Sequence, residues 1–188
     1  GDLNTGLGNK ALAANTTGTS NVALGANALQ TATTADNNTA VGSQSLMVTT
    51  GANNTGVGGN ALTANTTGHS NTAVGKSAGA AITTGVENVA IGFTSLDANT
   101  TGGYNTAVGT DSMSANTTGQ ENVALGWNSL DANTTGGTNV AIGASSLGSN
   151  TTASNNTAVG YNSLALNTTG TANVAIGATA LDANTTAS

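Results

Sequence analysis

The chain contains no cysteine and no proline, a single histidine, and only two basic residues, Lys10 and Lys76. Without cysteine there is no disulfide framework and no thiolate for catalysis or metal binding, which fits a chain that works outside the cell. With His69 as the one imidazole, neither a zinc site nor a His-based triad can be assembled within one chain. Two cations against eight Asp and Glu give a formal charge of −6, which speaks against nucleic-acid binding, because neutralising phosphates needs a basic face. No apolar run approaches the roughly 20 residues of a membrane-spanning helix, and no signal-peptide pattern is visible. Aromatic residues make up 2% of the chain, so a core of large rings is excluded and the interior must be thin, filled by Ala, Val, Ile and Leu.

What is present is one short phrase, roughly Asn-(Thr/Val)-Ala-(Val/Ile/Leu)-Gly-x-x-(Ala/Ser)-Leu-x-Ala-Asn-Thr-Thr-Gly-x-x. Its opening Asn falls at Asn4, Asn21, Asn38, Asn54, Asn71, Asn88, Asn105, Asn122, Asn139, Asn156 and Asn173, a step of 17 broken once by a step of 16. A fixed short period means stacked units that contact mainly their neighbours. The position three after each Asn is always aliphatic, as in Ile91 and Leu125. Disordered, low-complexity segments do not hold such a column. Residues 1–188 therefore read as a single elongated repeat domain. The absence of an initial Met and the stop in mid-repeat suggest a segment of a longer fibrous protein.

The stretch Asn-Thr-Ala-Val-Gly suits a short strand. Side chains alternate across a strand, so the aliphatic residue and the Thr or Val two before it are expected to line the core. The Ala between them, such as Ala73 and Ala107, is expected on a second face, packed against another strand or another chain. The Gly that follows in every copy, including Gly25, Gly92 and Gly126, marks a turn. A small residue and Leu come next, as Leu29, Leu96 and Leu130, and supply a second core column from which only Gly79 and Met113 depart. Ala-Asn-Thr-Thr-Gly closes the coil through another turn.

Two short β segments and two turns per 17 residues describe a rung of an all-β, repetitive β-solenoid with eleven rungs, a rod of about 50 Å at the usual strand spacing. Stacked columns such as Asn21, Asn88 and Asn122 are expected to form amide ladders between rungs. In the 16-residue step, Leu46-Met47-Val48-Thr49-Thr50-Gly51 lacks the Asn of the usual closing turn, which is where a solenoid tolerates a deletion.

The pentads Asn88-Val89-Ala90-Ile91-Gly92 and Asn139-Val140-Ala141-Ile142-Gly143 resemble the head repeats of trimeric autotransporter adhesins of the YadA type. The longer form with Ala-Asn-Thr-Thr-Gly is similar to repeat tracts of bacterial and phage tail-fibre-like proteins. The resemblance covers the whole chain, although the period is longer than that of the head repeat. It implies a left-handed parallel β-roll and a parallel homotrimer, with the small Ala face permitting close approach between chains.

No catalytic, cofactor-binding or metal-binding residues are expected. Asp97, Asp131 and Asp182 share one repeat position but never in adjacent rungs, and Glu87 and Glu121 are also two rungs apart. This spacing avoids stacked like charges, whereas calcium needs several oxygens in one coordination sphere. Phe93, Trp127 and Tyr161 each follow the fixed Gly at intervals of 34, and so lie on every second rung along one edge. Such a row stacks on sugar rings or meets a neighbouring fibre; the alternative is a variable outward position, which elsewhere holds Asn9, Ala26, Ser43, Lys76 and Thr110. The Asn-x-Thr sequons at Asn65, Asn99, Asn116 and Asn133 are forced by the repeat and say little about glycosylation.

The expected function is a non-enzymatic fibre segment, shaft or head, of an extracellular adhesin or tail-fibre-like protein that mediates attachment at a cell surface or on a virion. Its expected partners are copies of itself, a trimer being favoured, and a cell-surface glycan or receptor, with no nucleic acid and no membrane insertion. A self-assembling extracellular filament subunit is the second reading. An ice-binding solenoid presenting the Thr-Thr pairs is the third.

Overall fold

A computed structural model describes all residues, Gly1–Ser188. Each repeat contributes one three-residue strand: β1 (Thr5–Leu7), β2 (Val22–Leu24), β3 (Thr39–Val41), β4 (Thr55–Val57), β5 (Thr72–Val74), β6 (Val89–Ile91), β7 (Thr106–Val108), β8 (Val123–Leu125), β9 (Val140–Ile142), β10 (Thr157–Val159) and β11 (Val174–Ile176). They form one 11-stranded sheet in sequence order. Every pair is parallel and in register, so that Val89 faces Thr106, Ala90 faces Ala107 and Ile91 faces Val108. The chain is thus the expected all-β solenoid, advancing by one strand per rung.

Two expectations are corrected. The second β segment does not exist. The Leu column lies in a run of turns, because its residues adopt left-handed backbone, with φ of 48° at Leu29, 55° at Leu96 and 53° at Leu130. A non-glycine residue there costs roughly 1–2 kcal/mol, and burying a Leu returns about 1.5–3 kcal/mol. The left-handed turn also aims the amide along the rod: Leu29 N donates to Ser45 O at 3.2 Å and Leu96 N to Ser112 O at 3.0 Å.

The second correction concerns which face of the strand points inward. Ala23, Ala40, Ala73, Ala107, Ala124 and Ala158 are fully buried, whereas Leu24, Val74, Ile91 and Ile142 face outward, between 36% and 43% exposed. The core of each rung is therefore the strand Ala, the small residue before Leu, the Leu itself and Asn. The cause is room. Gly6 occupies the Ala column, and a methyl placed there would lie 3.6 Å from Leu12 Cδ1, already at contact distance. A branched aliphatic pointing inward would collide with the Leu across the rung.

The opening Asn residues form the expected ladder. Asn105 is fully buried. Its backbone N and Nδ2 donate to Asn88 Oδ1 at 3.0 and 3.2 Å, and Nδ2 also reaches Gly119 O at 2.9 Å. Its own Oδ1 accepts from Asn122 N and Nδ2 at 3.0 and 3.1 Å. A second ladder, unforeseen in the sequence, uses the Asn of the closing turn. Asn116 Nδ2 donates to Asn99 Oδ1 at 2.9 Å, and the chain of bonds runs on through Asn133, Asn150 and Asn167 to Asn184.

In the 16-residue rung the Asn site is filled by Thr49, buried, whose Oγ1 donates to Asn65 Oδ1 at 3.0 Å. The residue actually lost is the second threonine of the turn. In a full rung the amides of Thr66, Thr67 and Gly68 all converge on Thr83 O; here only those of Thr50 and Gly51 converge on Thr66 O. Strand register is untouched, with Thr39 facing Thr55 and Val41 facing Val57.

One rung exchanges its interior residues. Gly79 stands where Leu belongs and Ile82 where Asn belongs, and Ile82 is fully buried. A Cβ at Gly79 would lie 2.9 Å from Ile82 Cδ1 and 3.1 Å from Leu62 Cδ2, so the isoleucine fills the space that the missing leucine leaves. Gly79→Leu alone is expected to destabilise by about 1–3 kcal/mol through overpacking. The pair Gly79→Leu with Ile82→Asn restores the ordinary rung and gives Asn99 Nδ2 a ladder acceptor. Urea melts should place the double variant at or above the parent in stability.

Candidate functional site

The outward side of the sheet carries two parallel columns. One reads Thr5, Val22, Thr39, Thr55, Thr72, Val89, Thr106, Val123, Val140, Thr157 and Val174; the other reads Leu7, Leu24, Val41, Val57, Val74, Ile91, Val108, Leu125, Ile142, Val159 and Ile176. Neither contains a charge or a proline. Ile91 and Leu125, expected inside, belong to this outer face.

The glycine after each strand fixes one border of the face. Gly25, Gly92 and Gly126 have φ of 139°, 140° and 138°, and a Cβ at Gly92 would meet Gly109 O at 2.4 Å. Only glycine lets successive rungs approach this closely. The chain emerges from that turn at the edge where Phe93, Trp127 and Tyr161 sit, 49%, 56% and 59% exposed. Lys76, one rung before Phe93, holds its Nζ 6.0 Å from the ring centroid. The rungs between the rings carry the smaller Thr110 and Ala144. Tyr104, outside that row, is 52% exposed. It precedes Asn105 with φ of 61°, on the opposite border of the sheet.

The carboxylates do not converge. Ser114 lies between Asp97 and Asp131 in the same column and donates its hydroxyl to Asp131, and Thr94 donates to Asp111. Burial pushes the Asp97 carboxyl above its ordinary value, with smaller repulsion from Asp111 and Asp131. No group of three His, Cys, Asp or Glu is placed to hold a metal ion. His69 is exposed, its Nδ1 3.3 Å from Ser70 Oγ.

The sequon residues Asn65, Asn99, Asn116 and Asn133 are fully buried. The nitrogens of the last three are bonded to Gly102, Gly119 and Gly136 carbonyls, so the folded chain presents no N-glycan acceptor there. The Thr-Thr pairs lie in the closing turn. The first hydroxyl of each pair is used between rungs, as when Thr66 Oγ1 donates to Thr83 O at 3.0 Å and Thr100 Oγ1 to Thr117 O at 3.1 Å. The second threonine, such as Thr67 or Thr101, is exposed.

No pocket indents the surface, and no helix is long and apolar enough to cross a membrane. The chain offers flat contact along a rod: an aliphatic and threonine face with an aromatic edge. No protein-family model, curated protein or solved structure matches it.

Proposed function

We propose that the chain is a rigid, non-enzymatic fibre segment, the shaft or head of an extracellular adhesin or tail-fibre-like protein, which associates with copies of itself and serves attachment at a cell surface or on a virion. The observation that carries this reading is the outward aliphatic column, unbroken through β1 to β11. At a rung spacing of about 4.8 Å the face is about 50 Å long and 10–15 Å wide, roughly 500–750 Å². With the threonine-containing column counted in, that approaches the ~800 Å² per partner of a stable interface. Copies meet through this aliphatic face, and the buried Ala column takes no part in the contact. The threefold state and parallel orientation rest on the resemblance to YadA-type head repeats.

Light scattering over a hundredfold dilution tests the proposal. The expected result is a constant mass three times the 17.8 kDa of the chain. Ile91→Lys with Val108→Lys places two charges at adjacent points of the face and should give a folded monomer, with the circular dichroism spectrum unchanged. A monomer at every concentration of the unaltered chain, or an open-ended series of masses as a filament subunit would give, overturns the trimer.

A further inference from the structure

We infer that the edge formed by Phe93, Trp127 and Tyr161 is a binding track for an extended, neutral, β-1,4-linked hexose polymer. The inference rests on the attachment reading above and names the class of surface that is attached to.

The first argument is spacing. The three rings occupy the same point of every second rung, so they recur about 9.6 Å apart at the usual strand separation. In an extended β-1,4-linked chain each sugar is turned over relative to the last. Equivalent faces therefore recur every second sugar, a distance of about two rungs. Rings one, three and five of a pentasaccharide can each lie on an aromatic side chain. The intervening sugars pass over Thr110 and Ala144, which are too small to obstruct them. An α-1,4-linked chain curls away from a straight row and cannot follow it.

The second argument is rigidity. Each ring is carried by a backbone already tied into the stack: Phe93 O accepts from Asp111 N at 3.1 Å, Trp127 O from Ser145 N at 3.0 Å and Tyr161 O from Thr179 N at 2.8 Å. Rings held on a fixed pitch before binding lose little freedom when a ligand arrives. The third argument is charge. The residues beside the rings include Asp111, Ser145 and Asn162, which carry carboxylate, hydroxyl and amide groups able to pair with sugar hydroxyls and add no cation. Lys76 is the one cation near the row, and the chain as a whole carries −6. A polyanionic glycan is therefore disfavoured and a neutral one accepted.

Trp127 is the only tryptophan of the chain, so its fluorescence reports on the middle of the track. The full chain is titrated with cello-oligosaccharides and chito-oligosaccharides of two to six sugars, which separate a glucan source from an N-acetylglucosamine one, and with maltohexaose as the α-linked control. The expected result is a spectral shift with at least one β-1,4 series, and affinity that rises about tenfold or more from two to five sugars, as linked contacts accumulate, and then levels. The variant Phe93→Ala/Trp127→Ala/Tyr161→Ala should lose retention on the corresponding insoluble polymer, while Tyr104→Ala on the other border retains it. Equal response to maltohexaose, no response to either β-1,4 series, or undiminished retention of the triple variant overturns the inference. Light scattering of the same samples keeps the two readings apart: a trimer that binds no glycan removes the track alone, and a glycan-binding monomer removes the trimer alone.

Discussion

Gly92→Ala is expected to lower stability by about 3–5 kcal/mol and to split the unfolding of the rod into two transitions. The backbone at Gly92 has φ of 140°, a conformation that side chains of L-residues rarely adopt, and the new Cβ would lie 2.4 Å from Gly109 O and 2.6 Å from its carbonyl carbon. Both atoms belong to the backbone of the next rung, so no side chain can swing aside. The rung must separate instead. In a stacked repeat each unit is stabilised largely by its neighbours, and a parted joint between β6 and β7 leaves two blocks that melt independently. Gly59→Ala is the control. Nothing lies within 4 Å of a Cβ placed there, and its melt should match the parent. A single, unshifted transition for Gly92→Ala, followed by circular dichroism in urea, would show that the rungs have slack that the glycine column implies they lack.

Asn105→Asp is expected to make stability fall with rising pH more steeply than in the parent, where burial raises the Asp97 carboxyl. The replacement keeps an oxygen for Asn122 N and Nδ2, which now lie 3.0 and 3.1 Å from Asn105 Oδ1. Its second oxygen takes the place of an amide nitrogen that is 3.2 Å from Asn88 Oδ1 and 2.9 Å from Gly119 O. Oxygen then faces oxygen in a fully buried site unless a proton lies between them. The ionised form is thus disfavoured in the fold, and the folded pKa rises above the unfolded value of about 3.9. Between those two values the folded state binds more protons than the unfolded one, so stability falls as pH rises through the interval. At about pH 3 the variant should lie close to the parent, and at about pH 7 it should be several kcal/mol less stable. Asn105→Ala supplies neither acceptor nor donor. It should lose about 3 kcal/mol at both pH values by leaving the Asn122 amides unpaired. Parallel thermal melts of the three proteins distinguish a ladder of amides from simple packing.

The period, the solenoid, the glycine border, the first amide ladder and the buried Leu column were all legible in the sequence, because each is a residue type repeated in strict register. The sidedness of the strand was not. Alternation in Val-Ala-Ile shows that the two faces differ, and hydrophobicity assigns the larger residues to the interior. In a rung this narrow, volume decides the matter, and the methyl of Ala is what fits against Leu12 and its equivalents. The missing second strand was hidden for another reason: leucine carries no sign of left-handed backbone. Gly79, which replaces Leu in that column with φ of 57°, was the available signal. The second ladder could have been found from the same spacing that revealed the first, since Asn99, Asn116, Asn133, Asn150 and Asn167 repeat every 17 residues. Of the candidate contact residues, Phe93, Trp127 and Tyr161 are exposed beside the glycine border, a position that the 34-residue spacing made visible. Tyr104 gave no such signal, because apart from Leu3 its column is filled by polar or small residues such as Ser70, Glu87 and Thr138.

Both asparagine ladders run in one sense. Asn105 donates back to Asn88 and accepts from Asn122, and Asn116 likewise donates back to Asn99. A plane drawn between two rungs of either ladder therefore has the side-chain amide hydrogens on its C-terminal side and the side-chain amide oxygens on its N-terminal side. The side-chain dipoles of the ladders add along the axis as peptide dipoles do along a helix, while the backbone bonds between rungs run both ways, Leu96 N donating on to Ser112 O and Gly92 N back to Val74 O. Two rods joined axially complete both ladders only when the last rung of one meets the first rung of the other. Opposed ends would set donor against donor or acceptor against acceptor.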